Sequence, residues 1–169
     1  MDCKDLKEKI KAATIAAINR MTNEFSGHEV CAFALYSDTD ARTLAPSFNL
    51  KSNLEAMQSS DPDDAIYYKW APAEWSHEAY AAELFDGISE ELASLSDSVS
   101  PEQDFEVHCE GVFQVCVDVL DEVRATHLSG KIVVFAVSDM VRPDWECKWI
   151  AQLNSEEEAK EFEIWINGF

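Results

Sequence analysis

The segment from residue 70 to residue 123 holds fourteen Asp and Glu residues and not one Lys or Arg. Any fold of this chain must leave these carboxylates in water or give them partners, because burying an unpaired charge is very costly. Apolar residues recur between them at three- and four-residue steps, which is typical of helices that bury one face. The segment is therefore predicted to form helices with an apolar inner face and an acidic outer face.

The most regular of these helices is predicted to begin at Ser100 and Pro101, and its apolar face continues to Val123. Ser100, Pro101 and Gln103 provide the capping residue, the first-turn proline and the third-position side chain of a helix start. At 100° per residue, the apolar side chains fall within about 120° of arc, and the acids lie on the other side. The predicted core face consists of Phe105, Cys109, Val112, Phe113, Cys116, Val119, Leu120 and Val123.

Helices are also predicted elsewhere in the chain. Apolar spacing indicates a long helix over residues 5–25, a short one over 49–58 and another over 73–95. Ser155 and Glu158 form the capping signature of a last short helix.

Strands are predicted from short apolar runs. Residues 30–36 and 43–48 flank the polar sequence SDTDA, which is the pattern of a hairpin, and Pro46 marks the second strand as an edge. Residues 67–70 are a further candidate strand. Two more strands are expected towards the end of the chain: residues 131–138, apolar on both faces and therefore central, and residues 145–153, which alternate apolar and polar side chains.

These strands arrive in hairpins rather than in regular alternation with helices. The order favours an α+β fold with a mostly antiparallel sheet of about five strands and helices packed on it. A doubly wound parallel fold is less favoured. The chain has 169 residues and shows no repeat or linker, so residues 1–169 are interpreted as a single globular domain.

Composition excludes several classes of protein. The net charge is −20, but 47% of the residues are hydrophobic, which is too many for a disordered acidic chain. No basic stripe is present, so binding to nucleic acid or to an anionic membrane is not expected. Five cysteines without a C-x-x-C pair and the absence of an apolar leader favour the cytoplasm. The oligomeric state is left open.

No stretch of the sequence carries a complete catalytic or metal-binding motif. His77 and Glu78 begin the helical zinc-protease motif, but Ala81 stands where the second histidine is required. Cys109 and Cys116 lie on the predicted core face, where free cysteine behaves as a small hydrophobic residue. Cys31 lies inside an apolar strand, where its thiol would react poorly. We therefore expect no cofactor and no metal, and an enzyme is the less favoured class.

The densest group of large side chains spans residues 67–75. In one interpretation, Trp70 and Trp75 fill a corner of the core, and Glu74 interacts with the N-terminal turn of a helix. In the other, the segment is an aromatic recognition patch that Trp145 and Trp149 extend, because Trp and Tyr dominate interface hot spots.

The same segment carries a resemblance to a known family. The sequence Y-x-W-x-P-A-E-W at residues 68–75 follows CAFALYSDTD and precedes VVFAVSD and a late Leu153-Asn154 pair. This arrangement, from Ala32 to Asn154, resembles a mainly bacterial family known only as a domain of unknown function. The resemblance implies no reaction, cofactor or catalytic residue. Small acidic domains such as the SUKH-type immunity proteins are often encoded beside toxins, which is an analogy at the level of the fold.

The favoured hypothesis is a non-enzymatic binding protein whose acidic region, residues 70–123, docks a basic partner such as a nuclease-type toxin. One alternative is an enzyme or small-ligand protein with a pocket near Trp70, Glu74, Trp75 and Trp149. Another is that the carboxylates only keep the protein soluble. The predicted partner-binding residues are Glu74, Glu78, Glu106, Glu110, Asp118, Asp121, Glu122, Trp70 and Trp75.

Overall fold

The computed structural model describes residues 3–100, 105–139 and 142–168. Within these ranges, seven α-helices surround a sheet of three strands. The helices are α1 (Cys3–Glu24), α2 (Lys51–Ser60), α3 (Ala65–Trp70), α4 (Asp86–Ser98), α5 (Phe105–His127), α6 (Pro143–Leu153) and α7 (Glu156–Ile166). The strands are β1 (Val30–Ser37), β2 (Leu44–Leu50) and β3 (Ile132–Val137), and short 3₁₀ helices occupy Pro72–Glu74 and Ala82–Phe85.

The sheet is small and mixed. Its order is β2-β1-β3, with β1 antiparallel to β2 and parallel to β3. The chain is thus α+β, but the predicted mostly antiparallel sheet of about five strands is wrong. The hairpin of β1 and β2 is confirmed, as is the edge position of the strand that contains Pro46. The strand predicted as central, now β3, lies at the other edge.

Two of the predicted strands are helices. Residues 67–70 belong to α3, and residues 145–153 belong to α6. Trp145, Trp149 and Leu153 are spaced four residues apart, so their pattern fits a helical face as well as the alternation of a strand. Pro143 at the first helical position and acidic residues in the first turn favour the helix.

The predicted helix over residues 73–95 is interrupted. The backbone N–H and C=O of His77 form a bridge with Phe48 of β2, with N···O distances of 3.2 and 3.1 Å. A residue that hydrogen-bonds to a strand in this way does not also propagate a helix. Ala79 and Ala81 then adopt left-handed φ angles of 51° and 58°, and the regular helix, α4, begins only at Asp86.

The other predicted helices are confirmed. Ser155 and Glu158 form a complete capping box at the start of α7. The predicted core face of α5 is buried except for Phe105, which is 40% exposed. The predicted start of α5 includes residues 101–104, which lie outside the described residues.

Two hydrophobic clusters share the sheet as their common wall. Phe33 and Leu35 of β1 face the larger cluster, which also contains the buried sides of α1, α4 and α5. Ala32 and Ala34 face the smaller cluster, which Trp70, Trp75, Ile150 and Phe162 complete. Strand β1 is therefore apolar on both faces because both faces are covered.

The free edge of β2 is closed by polar contacts. The Leu44 N–H donates to the hydroxyl of Ser89 at 3.2 Å, and the Phe48 N–H donates to the carbonyl of His77. Pro46 lies between them and has no N–H to satisfy. This edge is thus poorly suited to pairing with another chain.

The free edge of β3 is closed by one side chain and one helix. Asn154, just after α6, accepts the Val133 N–H at 2.9 Å and donates its amide to the Val133 carbonyl at 2.7 Å. Helix α6 runs beside this edge, with Trp149 buried in the larger cluster and Ile150 in the smaller. Asn154 thus provides Val133 with the two hydrogen bonds that a further strand would provide.

We predict that Asn154→Ala lowers the free energy of unfolding by about 1–3 kcal/mol, because it leaves the backbone groups of Val133 without partners. Urea denaturation measures this change. Asn167→Ala is the matched control, since its exposed amide donates only to the Glu163 carbonyl, and it should cost less than about 0.5 kcal/mol. Equal losses in the two variants would contradict the role of Asn154.

Phe113 of α5 is fully buried against Phe135 and Trp149. We predict that Phe113→Ala lowers the free energy of unfolding by about 3–5 kcal/mol, because it removes a packed aromatic ring and leaves a cavity. Phe105→Ala, on the same helix but at the exposed position, should cost less than about 1 kcal/mol. Similar denaturation midpoints for the two variants would contradict this assignment of the core face.

Candidate functional site

A cleft of about 380 Å³ opens at the carboxyl ends of the parallel strands β1 and β3. This edge of a parallel pair is where open α/β sheets bind ligands. Its walls are formed by residues of β1, β3, α3, α6, α7 and the 3₁₀ helix Pro72–Glu74, and many of these residues are aromatic. The apolar and aromatic wall residues include Tyr36, Tyr67, Trp70, Pro72, Val134, Ala136, Ile150, Phe162, Trp165 and Ile166.

Three carboxylates line the same cleft. They belong to Glu78, Asp139 and Glu146, and no Lys, Arg or His is found among the described lining residues. Carboxylates beside low-dielectric aromatic walls create a negative potential that water screens less than it does on an open surface. The cleft is therefore suited to a cationic group attached to an apolar body.

Glu146 is held in place by the start of its own helix. One of its carboxylate oxygens, Oε2, accepts the backbone N–H of Arg142 at 3.1 Å. Burial raises the pKa of the Glu146 carboxyl, since its charged form is partly removed from water, and the nearby charge of Asp144 adds to the effect. A bound cation would oppose both effects by stabilising the charged form.

Glu78 and Tyr36 both line the cleft, and the charge of Glu78 affects the Tyr36 hydroxyl. Burial, and then the charge of Glu78, raise the pKa of the Tyr36 hydroxyl, which stays neutral at physiological pH. Neither side chain forms a hydrogen bond or an ion pair with any residue that the structure describes. Both polar groups are thus available to a ligand.

The aromatic segment contributes to the core and to the cleft at once. Trp70 is 3% exposed, lines the cleft, and donates its indole N–H to Glu161 at 3.1 Å. Trp75 is buried in the smaller cluster, does not line the cleft, and has an indole N–H without a partner among the described residues. Glu74 does not line the cleft, but it accepts a hydrogen bond at 3.0 Å from Tyr67, which does. Of the predicted partner-binding residues, Trp70 and Glu78 are the ones that line the cleft.

Trp145 and Trp149 do not extend this patch. Both pack in the larger cluster, where their rings contact Phe113 on the other side of the sheet. Because residues 145–153 form a helix along the β3 edge, it is Ile150 and Glu146 that reach the cleft.

Most of the acids of α5 are paired with cations or side-chain amides and are not left free to contact a partner. Glu106 pairs with Arg142 at 2.5 Å, and Asp121 pairs with Arg124 at 2.8 Å. Asp118 accepts hydrogen bonds from the side-chain amides of Gln114 and Gln152, and Glu122 binds both Lys7 and Lys11. Glu110 is exposed and makes no such contact within the described part of the chain.

Other acids of the segment are also paired with cations from elsewhere. Helix α1 supplies Lys9 for Glu91 and Arg20 for Glu83, and Arg42 binds Asp97 at 2.5 Å. The segment contains no cations of its own, but tertiary contacts provide them. The described acids of residues 70–123 that make neither an ion pair nor a side-chain hydrogen bond with other described residues are Glu78, Asp86, Glu90 and Glu110.

The cysteines of α5 are buried within the core. Burial raises the pKa of the Cys109 thiol to about 11 and that of Cys116 to about 12, so both stay protonated at neutral pH. In the described ranges, no group of three or more His, Cys, Asp or Glu side chains could hold a metal ion. No helix there combines the length and hydropathy needed to cross a bilayer.

Several residues of the cleft were not predicted from the sequence, above all Tyr36, Asp139, Glu146, Phe162 and Trp165. Tyr36 and Asp139 lie at or just after the carboxyl ends of two apolar strands. Their meeting could have been predicted only by recognising that these two strands are parallel. Glu146 and the α7 aromatics depend on how α6 and α7 pack, for which the sequence offers no local signal.

The fold and the site define a small acidic α+β domain with an aromatic cleft bordered by carboxylates. A family model described as a domain of unknown function, DUF4303, matches residues 10–155, and the chain belongs to this family. No curated protein and no solved structure gives a significant match.

The pairing of Glu122 generates a pH-dependent prediction. Hydrogen bonds from Lys11 and Lys7 lower the pKa of the Glu122 carboxyl from 4.5 to about 2. Its stabilising contribution is therefore complete above pH 4.5 and is lost as the pH falls towards 2. Glu122→Gln should lower the free energy of unfolding at pH 7 by no more than about 1 kcal/mol, because the pairs are exposed.

Urea denaturation at several pH values measures this difference. The gap between wild type and Glu122→Gln should close as the pH approaches 2. Glu110→Gln, whose carboxylate has no partner among the described residues, should show no loss at any of these pH values. A Glu122→Gln effect that is independent of pH would rule out the charge pairing as its cause.

Proposed function

We propose that this protein is a non-enzymatic binding protein that captures a basic protein partner, and that the cleft is the centre of its docking surface. The observation that carries the proposal is the lining of the cleft, which combines three carboxylates with aromatic walls and has no cation among its described residues. Charge complementarity of this kind speeds association and excludes partners of the wrong sign.

The surface beside the cleft supports a macromolecular partner. Ile66 and Ile164 are exposed by 42% and 68%, and they form a shallow apolar depression with Asp63 and Asp64. Tyr67 and Trp165 line both this depression and the cleft, so the two form one continuous surface. Aromatic anchors surrounded by apolar and charged side chains are typical of protein interfaces.

Within this proposal, the partner is a nuclease-type toxin, and the protein acts in the cytoplasm as its immunity protein. A protein that acts on nucleic acid presents a cationic cleft, which a carboxylate-bearing surface can occupy with fast, salt-sensitive association. The net charge of −20 provides the long-range attraction. The predicted partner-binding acids of α5 then contribute to this long-range attraction. Among them, Glu110 has no partner in the described part of the chain.

A second candidate is an enzyme or small-ligand protein that uses the same cleft. The volume of the cleft lies within the range of small-molecule pockets. The cleft also contains Tyr36, the exposed carboxylate of Glu78 and the partly buried carboxylate of Glu146. The sequence predicted this pocket near Trp70, Glu74, Trp75 and Trp149. Of these four residues, Trp70 alone lines the cleft, together with Glu78 and Glu146.

We predict that Glu78→Lys slows association with the basic partner about tenfold or more at low salt, since it places a cation at the cleft. Glu110→Lys is the matched control, because it makes the same charge change at an exposed, unpaired position on α5. The partner is first captured from the native cell at low salt and released at high salt, and association rates are then measured for both variants.

Two outcomes would count against the proposal. If wild type captures no basic protein at low salt, the binding function fails. If Glu78→Lys and Glu110→Lys slow association equally, the overall field alone is responsible and the cleft is not the docking centre.

A further inference from the structure

We propose that the cleft receives an arginine side chain of the basic partner, with the guanidinium between aromatic walls and carboxylates. This inference rests on the proposed function and specifies the chemical group that the site recognises. It uses the cleft described above and four of its side chains: Trp70, Trp165, Glu78 and Glu146.

The walls of the cleft suit a planar cation. Trp70, Phe162 and Trp165 form an edge-to-face series with ring centroids 5.2 and 5.5 Å apart, so their faces and edges cover one side of the cleft. A guanidinium stacks on such rings and is weakly hydrated, and it therefore loses less solvation than an ammonium group in a partly buried site. The cleft thus favours arginine over lysine.

The carboxylates are positioned to receive its hydrogen bonds. Glu146 is anchored through Oε2 by the Arg142 N–H, and Oε1 accepts no hydrogen bond from the described residues. Neither carboxylate oxygen of Glu78 accepts a hydrogen bond from the part of the chain that the structure describes. The five N–H donors of a guanidinium can satisfy more than one carboxylate at once, whereas neutral ligands would leave these charges uncompensated.

The nearby cations of the chain are engaged with its own acids and rings. Lys69 binds Glu161 at 2.6 Å and lies with its Nζ 5.0 Å from the centroid of the Trp70 ring. Arg142 stacks over Trp145 at 4.2 Å while it pairs with Glu106 and Asp144. Neither is among the residues that line the cleft. The negative charge of the cleft is therefore left for a cation from outside. A second copy of this chain would instead bring a further net charge of −20.

The test uses the full chain and the blocked peptide glycyl-arginyl-glycine amide, and binding is measured by calorimetry and by tryptophan fluorescence. We expect a dissociation constant in the millimolar range, as is usual for one anchored side chain. The lysine peptide should bind several-fold more weakly, and the citrulline peptide, which has nearly the same shape without the charge, should not bind measurably.

Variants locate the binding. Glu78→Gln and Glu146→Gln should each weaken the arginine peptide about tenfold, which is the effect of losing one charged hydrogen bond. In Glu146→Gln the new amide carbonyl can still accept the Arg142 N–H, so the start of α6 is preserved. Glu90→Gln, which removes an equal charge at an exposed position on α4 outside the predicted partner-binding residues, should leave the affinity unchanged.

Three results would overturn the inference. The first is equal binding of the arginine and citrulline peptides, and the second is an unchanged affinity in both cleft variants. The third is much tighter binding of agmatine than of the peptide, which would identify a site for a free small cation. Because these measurements need no partner, they can fail while the partner is still captured in a manner sensitive to Glu78→Lys, and the proposed function then stands without this inference.

Discussion

The structure depends on a single strand that is covered on both faces. Strand β1 lies in the middle of a three-stranded sheet, with Phe33 and Leu35 in one hydrophobic cluster and Ala32 and Ala34 in the other. So small a sheet has two exposed edges close to its centre, and both must be closed. Backbone contacts and hydroxyl groups close the β2 edge, while Asn154 and α6 close the β3 edge. The placement of α6 at this edge also brings Glu146 to the cleft.

The large negative charge is tolerated because tertiary contacts compensate part of it. Helix α1 carries much of the cationic charge, and its side chains bind acids of α4 and α5 and of the segment before them. Exposed pairs of this kind each contribute little to stability, but together they reduce the repulsion among the carboxylates of one segment. Within the described ranges, no ion pair compensates the carboxylates of the cleft, and the proposed binding of a cationic partner depends on them.

The sequence was sufficient for the parts of the fold that have local signals. The spacing of α5, the capping box of Ser155 and Glu158, and the hairpin that contains Pro46 all reflect interactions between near neighbours. The parallel pairing of β1 with β3 joins strands that are distant in the chain, and no local pattern marks it. Residues 145–153 were ambiguous because the same tryptophans satisfy both periods. The cleft was only partly predictable for the same reason: Trp70 and Glu78 lie in a recognisable segment, whereas Glu146 and Trp165 reach it through packing.

Two surfaces compete for the proposed docking role: the acidic face of α5, expected from the sequence, and the cleft, expected from the structure. Hydrogen–deuterium exchange of the protein alone and in complex with its captured partner compares them directly. We expect new protection in peptides that cover residues 134–139 and 161–168, with little change along residues 105–123. Protection confined to residues 105–123, with none at the cleft, would contradict the central claim.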